Sequence, residues 1–221
     1  MLYDYLLFVH VLLFVFWLGG DLGVFILGQQ SRRKHVYSQE QRQALLRVLI
    51  MVDMGPRTCI ALMVPISLTL AHVGGWWLMP IWLIVLGWIV GCLLLSAAWI
   101  AFLNHGRPIE KTAKIIDFWL QVSMALFYAY VAIKSLWTDT PIVQDWLAGK
   151  TLLYSLIFVS AILIDLSYRP MASALKALEA NSTSESEQAV LAIQNRTRVW
   201  VIAIYVLLFA IGFFGVTKPA F

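Results

Sequence analysis

Hydrophobic residues fall in six long runs along this chain, at about residues 2–27, 53–73, 78–103, 115–136, 151–166 and 199–216. About 20 apolar residues cross the ~30 Å hydrocarbon core of a bilayer as a helix rising ~1.5 Å per residue, so each run predicts a membrane span. The fifth run is the shortest and predicts a tilted or partly sunken helix. From Ser38 to Val52, Ala44, Leu45, Val48 and Leu49 alternate with Gln41, Arg42 and Arg47 at helical spacing. That pattern predicts an amphipathic helix at about 38–52, lying on the inner membrane surface and continuing into the second span. The fold class is therefore all-α, a polytopic membrane helix bundle forming one integral membrane domain over residues 1–221.

The polar stretches between the runs differ in charge. Of the 16 Lys and Arg residues, all but Lys134, Lys150 and Lys218 fall in or beside the stretches 29–57, 104–114 and 168–198. The short connections at 72–79 and 138–150 are instead rich in Trp, Gly and Pro. Basic residues stay on the cytoplasmic side, so the three basic loops are expected in the cytoplasm of a cell inner membrane, with both termini outside. Trp76, Trp77, Trp82 and Trp146 then read as an outer interfacial belt. The polar stretch Asn181-Ser182-Thr183-Ser184-Glu185-Ser186-Glu187 reads as an exposed turn between two helical arms.

Composition agrees: 61% of residues are hydrophobic and 13% charged, the profile of an integral membrane protein. The net charge of +4 reflects lopsided placement across a membrane and not nucleic-acid binding, since no reading motif accompanies it. Cys59 and Cys92 lie within apolar runs and read as inert packing residues. Without a basic n-region or a small-residue cleavage site, the first run reads as a retained span and not a removed leader. The partners this predicts are the lipid bilayer and an apolar small-molecule substrate or electron donor; homo-oligomer formation is left open.

Candidate chemistry begins in the first run. His10, Phe14, Trp17 and Asp21 follow one another by four, three and four residues and share one helical face. Ionisable groups inside a membrane are costly, so that face should look into the protein. Gly19 and Gly23 have the small-xxx-small spacing that admits a close helix neighbour. His72 ends the second run, so it and His10 are expected near one level on adjacent helices. Two such imidazoles suit a b-type haem or part of a copper or zinc shell, and spacing alone does not choose among these. His35 and His105 sit in basic loops and read as solvated. At the opposite end, Asp21, Asp53, Asp117 and Asp165 gather with Arg57 and Arg169, each arginine one turn after a carboxylate. This set allows a buried ion-pair network, a cation site, a proton relay or a carboxylate anchor; taken singly, Asp117 and Asp165 read instead as headgroup residues that neutralise nearby basic side chains, whereas Asp21, deeper in its helix, does not. Asp117, Gln121, Met124 and Tyr128 form a semi-polar stripe, and Gly87 with Gly91 a close-packing pair. Pro56 and Pro65 are expected to kink the second span and free carbonyls.

His10 followed by Trp17-Leu18-Gly19-Gly20 resembles the first helix of the HemJ-type protoporphyrinogen oxidases and of the CopD-like membrane family. The basic segment that follows, and the proline-containing span around Met54-Gly55-Pro56-Arg57, are also similar to the HemJ type. The resemblance covers the first third of the chain. It implies a haem- or copper-associated helical bundle with His10 as the ligand position. The chain departs from that type in having six runs instead of four and in lacking its polar His/Lys element in the third helix.

The leading expectation is a protein binding haem b, with His10 and His72 on the iron and Trp17 against the macrocycle. Its activity would be that of an oxidoreductase on a porphyrin, quinone or similar electron donor, and Asp21, Asp53 and Arg57 would carry protons or anchor a carboxylate. The alternatives are a metal-ion or proton-coupled transporter built on the Asp/Arg cluster, and a non-catalytic assembly subunit.

Overall fold

The computed structural model describes residues 1–77, 79–181 and 183–219. Leu78, at the start of the expected third span, and Ser182, in the polar turn, lie outside the described residues. Among the described residues seven helices follow in order: α1 (Leu2–Gln30), α2 (Gln39–Val73), α3 (Ile81–Leu103), α4 (Pro108–Thr138), α5 (Asp145–Tyr168), α6 (Met171–Ala180) and α7 (Ser184–Thr217). All but α6 contain stretches long and apolar enough to cross a membrane. The chain is thus an all-α polytopic bundle. One end carries the basic loops and the other the tryptophan-rich connections; they are called here the basic end and the aromatic end.

Residues 39–52 are helical and run on into the second span, as their pattern predicts. They are the first turns of α2, which runs unbroken for 35 residues, about 52 Å at helical rise. A capping box starts it: Ser38 Oγ accepts from the Gln41 N–H at 3.3 Å, and Gln41 Oε1 accepts from the Ser38 N–H at 2.9 Å. Of the apolar stripe, Leu49 meets Gly28 of α1, as Val52 one turn on meets Gly23, while Ala44 and Val48 stay exposed. The α7 helix is extended in the same way and reaches back to Ser184, capped by Thr183 and Ser186. Its first turns meet α6, where Met171, Leu178 and Val190 form a small core. Arg42 pairs with Glu187 at 2.9 Å, Gln194 donates to Ser31 at 3.1 Å and Arg32 donates to Asn195. These bonds tie α2, α7 and the α1–α2 loop into one extension at the basic end.

The spanning helices form a closed ring in the order α1, α2, α3, α4, α5, α7, and α7 returns to α1 through the thinnest of the junctions. Glycines set the close approaches. A Cβ on Gly91 would stand 2.7 Å from Pro65 Cδ and 2.9 Å from the Ala61 oxygen, the carbonyl that Pro65 leaves unpaired within α2. Gly87 likewise meets Leu68. On α1 the contact pair is Gly20 and Gly23, against Pro56 and Val52, whereas Gly19 faces nothing within 4 Å. The expected Gly19–Gly23 pair is therefore corrected by one position, because the α1 stripe that meets α2 runs through i and i+3. Two α3 indoles donate to α2 hydroxyls, Trp99 to Thr58 at 3.1 Å and Trp88 to Thr69 at 3.2 Å. Each bond removes an exposed N–H from the helix surface that faces lipid.

Opposite helices meet at the centre of the ring. The Tyr154 hydroxyl of α5 donates to the Ile60 carbonyl of α2 at 3.2 Å. Aromatic rings surround that bond: Trp17 to Tyr154, Tyr154 to Tyr128 and Tyr128 to Phe127 make edge contacts at 6.4, 4.9 and 5.2 Å, and Phe127 stacks on Trp77 at 6.3 Å.

Candidate functional site

Helix α1 is the least buried span, and Trp17 is its one buried residue, 4% exposed. Its outward surface is mostly leucine, valine and phenylalanine. The His10–Phe14–Trp17–Asp21 face turns inward and brings an ionisable group to each of two levels. These are about 16 Å apart at helical rise.

At the basic-end level, Arg57 stands between two carboxylates. Its Nε donates to Asp53 at 2.6 Å and its Nη2 to Asp165 at 2.8 Å. Asp53 is one turn earlier on α2, whereas Asp165 comes across the ring from α5, so the guanidinium fork joins two helices. Asp117 on α4 accepts from Gln121 at 2.7 Å and lies within electrostatic range of Arg57 and Asp165. Asp21 completes the group from α1, near Asp53 and Arg57 and beside the Trp17 indole one turn before it. Its Oδ2 is buried without a hydrogen-bond partner. Cys59 and Tyr205 stand near enough to feel the Asp21 charge. The Tyr205 hydroxyl, on α7, is also buried without a hydrogen-bond partner. Asp165, read from the sequence as a headgroup residue, instead bonds Arg57 across the ring, and Asp117 lies near that pair. Arg169 is the departure: its guanidinium lies over the Phe118 ring, 5.5 Å from the centroid, on an exposed position. As the last turn of α5 ends, its side chain points along the outside of the bundle.

Four carboxylates face one guanidinium here. If all were ionised, three negative charges would lack a counter-ion in a region of low dielectric, a costly state. The cluster is therefore suited to taking up protons or a monovalent cation. Among the described residues no three His, Cys, Asp or Glu side chains gather closely enough to hold a metal ion.

At the aromatic-end level, His10 is half-buried and its Nδ1 has no hydrogen-bond partner. His72 Nδ1 is buried without a partner too. The two do not stand level. The contacts of Gly20 with Pro56, Gly23 with Val52 and Gly28 with Leu49 set the antiparallel register of α1 on α2. Carried forward, that register and the Tyr3–Trp76 contact bracket His10 between Pro65 and Thr69, with His72 about 4–9 Å further toward the aromatic end at helical rise. Tyr3 meets Trp76 there, centroids 5.8 Å apart. The near neighbour of His10 is one that sequence spacing does not single out, Lys150 of α5, close enough to act on the imidazole electrostatically. The α7 helix lies between α1 and α5 but presents glycines: the missing Cβ of Gly212 faces Phe14 at 3.1 Å, and that of Gly215 faces the Lys150 amine at 3.1 Å. Side chains from both flanking helices thus reach past it.

Trp17 has protein on its ring already, through Tyr154. A macrocycle lying flat on it would have to displace core packing. His35 and His105 are exposed, as expected, and His105 contacts Glu110 at 3.1 Å. Met124 packs against the core, with Gln121 and Tyr128 of the same stripe buried. A cavity of about 20 Å³ lies at the basic end, lined by Ser31, Gln39, Arg42 and Gln194 among others. An open groove of about 340 Å³ runs along α3 past Trp88, Cys92 and Ser96. Neither adjoins His10 or Asp21.

Comparison of the chain with models of known families, with curated proteins and with solved structures finds no match.

Proposed function

We propose that this chain is a membrane haem protein of oxidoreductase type, in which His10 holds the iron and the Asp21–Asp53–Arg57 cluster handles protons or a substrate carboxylate. The observation that carries this reading is the His10 ring, an imidazole inside an apolar helix whose Nδ1 is buried with no hydrogen-bond partner. Such a group is expensive in a membrane unless it has a function. The resemblance of His10 and Trp17-Leu18-Gly19-Gly20 to the HemJ-type and CopD-like first helix supports the same position. In this reading His10 would supply the one nitrogen donor and Phe14 an apolar surface one turn on, and a haem would take the place beside the α7 glycines that the Phe14 ring and the Lys150 amine now fill. His72, offset along α2, is the weaker candidate for a second ligand. A bound haem would supply one-electron chemistry at its iron, with an apolar donor such as a quinone or porphyrin arriving through lipid. Around it, Phe14 and the helices of the ring exclude water. The carboxylates beside Arg57 would take up and release the accompanying protons at the basic end, which this reading sets in the cytoplasm.

The test is a reduced-minus-oxidised spectrum of protein purified in mild detergent after expression with adequate haem. A Soret band lost in His10→Ala is the result expected; wild-type protein without one removes the proposal. A second reading, proton- or cation-coupled transport, draws on the excess of carboxylates over Arg57. It predicts no chromophore, and loss of transport in Asp21→Asn.

A further inference from the structure

Arg32 follows the end of α1 by two residues, and Nη2 of its guanidinium donates to Asn195 Oδ1 of α7. Arg198 stands three residues after Asn195, on the same face of that helix. The Asn195 bond therefore draws the two guanidiniums together at the basic end of the α1–α7 junction, where the Arg198 charge acts on Arg32. Among the described residues neither arginine makes an ion pair. Arg32 Nη1 is buried without a hydrogen-bond partner. Glu187, the carboxylate that ties the extension together, is already shared by Arg42 and Lys34, at 2.9 and 3.8 Å. The C-terminus of α1 offers at most about half a negative charge. Two guanidiniums thus stand together with less than one compensating charge.

Depth identifies the anion they suit. The exposed residues that follow Arg198 on α7 are Val199, Ile202 and Val206, and those that precede Arg32 on α1 are Ile26 and Leu22. The pair therefore lies at the border of the surface that faces lipid, the layer in which the phosphates of a bilayer sit. A guanidinium grips phosphate through two parallel N–H···O bonds, and a second one takes a further oxygen. A zwitterionic lipid would set its own ammonium against the arginines, so a lipid of net negative charge is favoured.

We propose that Arg32 and Arg198 form a binding site for the phosphate of an anionic phospholipid at the basic end of the α1–α7 junction. The site shares no residue with the His10 and Asp21 levels, so it stands apart from the haem reading.

Native mass spectrometry of the full chain in neutral detergent, titrated with dioleoylphosphatidylglycerol or dioleoylphosphatidylcholine, measures the bound lipid. The glycerol lipid is expected to bind at least about fivefold more tightly, and Arg198→Gln to lose about fivefold of that affinity, the scale of one basic residue at an anionic surface. Arg32→Gln combined with Arg198→Gln should bring the two lipids level. Lys111→Gln removes an equal charge from an exposed position elsewhere at the basic end, and should change the affinity by less than about twofold. Arg198 is exposed, so its variant carries the test if loss of the Arg32–Asn195 bond disturbs folding. Equal affinity of the wild type for the two lipids, unchanged affinity in Arg198→Gln, or an equal loss in Lys111→Gln overturns the proposal. Displacement of the glycerol lipid by inorganic phosphate at equal concentration overturns the assignment to a lipid.

Discussion

Arg57 illustrates how much rests on single residues inside a membrane. Its guanidinium satisfies Asp53 and Asp165 at once, so removing it leaves two carboxylates facing each other across α2 and α5. Arg57→Met should cost about 1–3 kcal/mol of stability, between a solvated and a buried ion pair, since the three side chains are half-buried. Arg57→Lys should cost less but not nothing, since an ammonium keeps the charge and loses the two-armed fork. Unfolding in mixed micelles by increasing denaturing detergent measures both. A loss under about 1 kcal/mol for Arg57→Met would mark the pair as a solvated one. Asp21 and His10 should separate in function as they do in space. His10→Ala is expected to abolish the haem spectrum, and Asp21→Asn to leave it intact while impairing turnover or transport. If Asp21→Asn removes the cofactor and His10→Ala retains it, the principal site lies at the basic end.

Among the helices, the contacts that set register are glycines against prolines. Gly91 receives the Pro65 ring and Gly20 the Pro56 ring. Both prolines of α2 therefore point at a neighbour that has given up its Cβ. The proline that removes a backbone N–H also supplies the ridge on which α1 or α3 packs, van der Waals packing being a main source of helix association in lipid. Gly91→Ala places a methyl within 3 Å of both Pro65 and the Ala61 oxygen. It should destabilise by about 1–3 kcal/mol, as overpacked cores do. Gly19→Ala, with nothing within 4 Å, should change stability by less than about 0.5 kcal/mol. Thermal unfolding of the two variants in one detergent makes the comparison. A larger shift for Gly19→Ala would mean that the α1 face has been assigned one position off.

For the molecule as a whole, the asymmetry between basic and aromatic ends predicts an orientation with the basic loops in the cytoplasm. Variants Asn181→Cys and Thr140→Cys, made after replacing Cys59 and Cys92 by Ala, place a thiol at either end. A membrane-impermeant maleimide applied to intact cells should label Thr140→Cys and spare Asn181→Cys until the membrane is opened. The reverse pattern would overturn the cytoplasmic placement of the basic loops.

The six spans, their order and the two ends of the bundle were legible in the sequence because transfer into lipid depends on local composition. Arg57 with Asp53 was legible too, being a one-turn pair on one helix, and so was the inward face of α1. The length of α2 was legible as well, because the helical pattern of 38–52 reads as running on into the second span, whereas the reach of α7 back to Ser184 was not. Hydropathy registers the part of a helix that lies in lipid, and the basic-end turns of α7 are held by contacts with α6 and α2. Tertiary structure alone decided which carboxylates share Arg57, because Asp165 reaches it only across the ring, and which glycines touch a neighbour, because one position around α1 separates Gly19 from Gly20. It likewise decided that His72 stands off from His10 and that Lys150 stands near it. Sequence records the depth of a residue through its distance from a helix end. Which residue at that depth becomes its neighbour is set by the rotation and register of helices far apart in the chain.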